Sequence, residues 1–73
     1  MSSQEEVYAR SKLINAIEGL IGVHMGWDWE KSYTWMNTPN PNFGGAIPRT
    51  LVMEGRSHKV LAFVESAITE NLP

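Results

Sequence analysis

An all-α fold, a small single-domain bundle of about four helices joined through a Pro/Gly-rich connecting turn, is what this chain predicts. Three observations carry that reading. Apolar residues recur at spacings of three, four and seven towards both ends; residues 35–48 hold three prolines, two adjacent glycines and two aromatics; and no repeat or low-complexity tract interrupts the short connections. Proline pins φ and glycine reaches backbone conformations closed to other residues, so the middle stretch reads as a specified turn that sets how the flanking helices meet.

The first helix is expected over 5–21, where Val7, Leu13, Ile14, Ile17, Leu20 and Ile21 return to one side. Ser3 and Glu6 have the capping-box spacing, and Gly22 or Gly26 serves as the stop. Asp28 caps a second helix over 29–37, with Trp29, Tyr33 and Met36 as its apolar line and Trp35 packing against the following turn. Thr38-Pro39 ends it, because the residue before a proline is pushed out of the helical region. Pro48 suits the first turn of a short third helix, and Gly55 its left-handed stop. Ser57 caps a fourth helix over 58–71, whose face is Val60, Leu61, Val64, Ala67 and Ile68, with Phe63 beside it.

Length and composition bound what such a bundle can be. At 73 residues and 42% hydrophobic content, residues 1–73 form one domain, with a stability of roughly 4 to 11 kcal/mol at the usual per-residue scale. A partner or a second copy would add stability by mass action, which favours complex formation or a homo-oligomer. The absence of cysteine removes disulfides and thiolate ligands, and the polar, acidic N-terminus followed by no long apolar run signals neither export nor membrane insertion; a cytoplasmic location is expected. Six basic residues against eight acidic ones are scattered rather than clustered, so no autonomous nucleic-acid binding is expected.

Candidate chemistry is sparse. His24 and His58 lack carboxylate or cysteine neighbours at metal-ligand spacing and read as surface residues, without a metal site. Ser57-His58 has no third orienting group, and Phe43-Gly44-Gly45 lacks the lysine and strand-to-helix setting of a phosphate loop. No enzyme chemistry and no cofactor are expected. Of the tryptophans, Trp29 and Trp35 are assigned to the core. Trp27, between Gly26 and Asp28 in a loop, is assigned to an exposed contact that Met25 can share. Glu65, Thr69, Glu70 and Asn71 form the polar side of the last helix and its end.

The turn and the helix after it can then be read together. The string Trp35-Met36-Asn37-Thr38-Pro39-Asn40, then Phe43-Gly44-Gly45, Ile47-Pro48, Leu51-Val52, Glu54-Gly55 and Val60 resembles the toxin-binding domain of ParS/MbcA/Xre-type antitoxins. That family opens on tryptophan-hydrophobic-x-x-proline-asparagine, centres on Gly-Gly-x-x-Pro and leads through Glu-Gly into a final helix. The resemblance spans residues 35–68, about half the chain.

What the resemblance implies is an all-helical module of a toxin-antitoxin system that neutralises a RES-domain toxin, an NAD-consuming enzyme, by blocking its cofactor cleft with the antitoxin's C-terminal region near the opening. On that basis Trp27, Glu65, Thr69, Glu70, Asn71 and the C-terminal carboxylate of Pro73 are the candidate partner-binding residues, the carboxylates meeting basic groups that hold NAD phosphates. Trp35, Asn37, Pro39, Asn40, Phe43, Gly44, Gly45, Pro48, Glu54 and Gly55 are read as motif residues that shape the fold. Many members also carry an N-terminal helix-turn-helix domain. The 26 residues before Trp27 leave no room for one, so toxin binding without a separate DNA-binding domain is expected. The alternative is an oligomerisation or adaptor module of phage or mobile-element origin that keeps the fold without a toxin.

Overall fold

A computed structural model describes residues 3–70 as four α-helices and one 3-10 turn, with no strand among the described residues. Helix α1 spans Gln4–Met25, α2 Trp29–Met36, α3 Pro48–Met53 and α4 Ser57–Glu70, with the 3-10 turn at Pro41–Phe43. Helix α1 packs against each of the other three helices. The shared core is Ile14, Ile17 and Ile21 of α1, Met36 of α2, Leu51 and Val52 of α3, and Val60 and Val64 of α4. The fold class is therefore the expected all-α bundle.

Local chemistry sets most helix boundaries. The Ser3 hydroxyl accepts from the Glu6 amide at 3.1 Å, and the Asp28 carboxylate accepts from the Lys31 amide at 2.8 Å. Each side chain satisfies a first-turn donor that would otherwise lack a partner. Helix α3 opens on the fully buried Pro48 and closes in a Schellman motif. There the Gly55 amide donates to the Val52 carbonyl and the Arg56 amide to the Leu51 carbonyl, with Gly55 at φ +81°. Arg10 fastens this corner to α1, its Nη1 donating to the Met53 carbonyl at 2.7 Å.

Four expectations need correction. Helix α1 continues past residue 21 to Met25 and stops at Gly26. Gly22 lies within the helix, and its missing side chain makes room for the loop and α2: a Cβ on it would lie 3.2 Å from the Trp27 carbonyl and 3.6 Å from the Ser32 hydroxyl. Val7 is exposed, since the first turns of α1 lie outside the shared core. Trp29 is not core but 70% exposed, and Tyr33 is exposed with it. The buried line of α2 is instead Ser32 and Met36, one helical turn apart, because a small serine allows close approach to Gly22 where an indole would not fit. Finally, α4 begins at Ser57 itself rather than one residue later.

Candidate protein-binding surface

The motif residues build a closed turn. Asn40 is buried, and its Oδ1 accepts from the Asn42 amide at 2.9 Å and the Asn42 Nδ2 at 3.1 Å. The Asn40 carbonyl accepts from the Phe43 and Gly45 amides, and the Asn40 amide donates to the Ala46 carbonyl. Gly44 and Gly45 stand at φ +65° and +87°, a region costly for side-chain-bearing residues, which fits the doublet to this position. Asn37 caps α2 through Nδ2 to the Tyr33 carbonyl at 2.8 Å, and Pro39 follows on the exposed side. Phe43 packs edge-on against Trp35 and Phe63, and Trp35 stacks on Phe63 at 6.1 Å, so the turn is clamped to α4 by three rings. Glu54 forms a loose ion pair with Arg56 at 3.9 Å.

At one end of the bundle the loop after α1 meets the second half of α4. Met25, Trp27, Trp35, Phe63, Ala67 and Ile68 are among the residues that line an apolar cleft of about 210 Å3 there. Trp27 is half-buried rather than a free surface ring, and Lys31 Nζ sits 4.7 Å from its centroid. Its indole thus joins the last helix in forming the cleft wall. Glu65, Thr69 and Glu70 are exposed on α4 outside this cleft lining. The Thr69 hydroxyl donates to the Glu65 carbonyl at 2.8 Å, so its donor is used within the helix while both carboxylates face solvent. At about 100° per residue, Glu65 and Thr69 share one row of the helix and Glu70 stands a quarter-turn or more away from it. Asn71 and Pro73 lie outside the described residues.

A second concave region was not anticipated. Glu18 is 6% exposed within the apolar stripe of α1, and its Oε2 has no hydrogen-bond partner. Ser32 of α2, which lines the same groove, is 1% exposed with its hydroxyl unpartnered. Burial pushes the Glu18 carboxyl above its ordinary value of 4.5, an effect opposed by the positive charge of Arg49. No ion pair joins Glu18 to Arg49 among the described residues; the guanidinium lies 5.7 Å from the Tyr33 ring centroid, and its Nε is also buried without a partner. The signal that marks Glu18 is visible in the heptad: an acid at position 18, between Ile14, Ile17 and Ile21, sits on the core-facing side.

Both histidines are exposed, and no group of three or more potential metal ligands occurs among the described residues. No described helix is long and apolar enough to cross a membrane. The closed turn, the aromatic cleft and the exposed carboxylates are thus the features that this small helical module presents at its surface. Comparison of the chain with protein-family models, with curated proteins and with solved structures found no match.

Proposed function

We propose that the chain is an antitoxin-like binding protein that neutralises a RES-type, NAD-consuming enzyme in the cytoplasm by occluding its active site. The observation that carries this reading is the cleft where Trp27 meets Phe63, Ala67 and Ile68, next to the exposed carboxylates of Glu65 and Glu70. An aromatic anchor beside unpaired acids suits a partner cleft that is apolar at its rim and basic where it holds phosphates. The residues of the motif support the reading through its resemblance to antitoxin toxin-binding domains, while their polar groups are largely consumed in holding the turn. Occlusion needs no catalytic group of the protein's own. Mixing the chain with a RES-type enzyme from the same host should give a complex on size-exclusion chromatography and lower NAD consumption; no complex and undiminished consumption would sink the proposal.

The adaptor alternative draws on a different observation. Val23, Trp29 and Tyr33 expose apolar surface near the seam between α1 and α2. A dimer that grows with concentration in light scattering, together with no effect on a RES-type enzyme, would favour that reading.

A further inference from the structure

The outward side of α4 carries a row of residues that the core and the turn do not explain. Lys59, Phe63, Ser66 and Glu70 follow one another at spacings of four, three and four, so at about 100° per residue they fall within a strip about 60° wide. Lys59, Ser66 and Glu70 are exposed and Phe63 is half-buried. Lys59 and Glu70 stand at the two ends of the row, roughly 16 Å apart along the axis, and neither takes part in an ion pair among the described residues.

The charges on this helix run against its own dipole. Helices α1 and α2 carry acids in their first turns, and α1 carries His24 in its last. Helix α4 has no acid in its first turn and no base in its last: Arg56 precedes it, His58 and Lys59 open it and Glu70 closes it. The partial positive charge at a helix N-terminus favours an acid and the partial negative charge at its C-terminus a base, so both ends of α4 lack the charge that suits them.

A second α4 laid antiparallel supplies both. With a two-fold axis between residues 64 and 65, Lys59 of each copy faces Glu70 of the other and Phe63 of each faces Ser66 of the other, so one register makes both pairs twice. The large ring then lies against a small side chain, the size match that close helix packing needs. Each Glu70 also comes to the first turn of the other α4, beside Lys59 and Arg56, whose only ion pair is the loose one with Glu54 at 3.9 Å. Glu65 and Thr69 lie on another row and stay outside the pairing.

We infer that this row of α4 is a self-association surface, pairing two copies of the chain as an antiparallel two-fold dimer. One short helix per copy is a small contact, so the dimer is weak and salt-sensitive. It stands apart from the antitoxin reading and holds or fails without it, and it uses a different face from Val23, Trp29 and Tyr33. The test is sedimentation equilibrium of the chain at low salt from micromolar to millimolar concentration, with circular dichroism to follow folding. The wild-type chain should pass from monomer to dimer. Lys59→Glu and Glu70→Lys each suit the helix dipole better than the residue they replace, so each should stay folded, and each should weaken the dimer about ten-fold because two attractive pairs become repulsive. Mixing the two variants places opposite charges at both positions again and should recover the dimer, as should Lys59→Glu combined with Glu70→Lys in one chain. A monomer at every concentration, or a mixture that associates no better than either variant alone, would overturn the inference. So would a dimer that both reversals leave intact and Trp29→Ala abolishes, which would put the contact on α1 and α2.

Discussion

The turn around Asn40 and the seam between α1 and α2 handle buried polar groups in opposite ways. In the turn, the Asn40 side-chain oxygen, amide and carbonyl all have partners, and three aromatic rings clamp the segment to α4. In the seam, Glu18 and Ser32 each keep a buried polar atom without one, and Arg49 of α3 keeps another. A closed network rigidifies structure, while a buried polar group left unpaired costs stability. The residues that look most like a signature therefore build the molecule, and the proposed binding is assigned to surfaces they hold in place.

If that contrast is right, damage to the turn should read as lost stability. Gly45→Val forces a β-branched residue to φ +87° and is expected to cost about 2 kcal/mol in urea unfolding. Asn40→Ala leaves the Asn42 amide without its acceptor and should cost about 1.5 kcal/mol by the same measurement. A turn that tolerated both substitutions would not be the rigid element inferred here.

Changes along the seam should behave differently. Gly19→Ala adds a Cβ into open space inside a helix and should stabilise by about 0.8 kcal/mol. Glu18 predicts a slope with pH. Its folded-state carboxyl holds its proton above the ordinary 4.5, so the native state binds more protons than the unfolded one as pH rises from there, and stability falls across that window. Glu18→Gln should flatten this decline, read as the urea midpoint at a series of pH values; an unchanged slope would mean that the carboxyl is solvated. The smallest stability effect belongs to α4: Glu65→Ala and Glu70→Ala should change stability by less than about 0.5 kcal/mol while weakening inhibition of the partner enzyme.

How much of this was legible in the chain depends on how local the cause is. The caps at Ser3 and Asp28 and the stop at Gly55 are contacts within a few residues, and they read directly from sequence. The helix α2 and its buried Met36 read from sequence as well, but the rest of its inward face did not, because the large apolar side chains of Trp29 and Tyr33 mark a line that tertiary packing rejects. They stack on each other at 5.1 Å on the outside, while Ser32 takes the inward position that Gly22 makes available. The cleft was half legible. Trp27 and the last helix were each singled out, but their meeting joins residues some forty positions apart, and it is Ala67 and Ile68, not Glu65 or Thr69, that share the cleft with Trp27.

The proposed division between a turn that builds and a helix end that binds is tested most directly by titrating the protein into a RES-type enzyme from its host and following NAD consumption. The wild-type chain should suppress consumption at near-stoichiometric ratio, Asn40→Ala should still do so to the extent that it is folded, and Trp27→Ala should do so poorly while folded. Full consumption in the presence of folded wild-type protein, or full inhibition by folded Trp27→Ala, would contradict it.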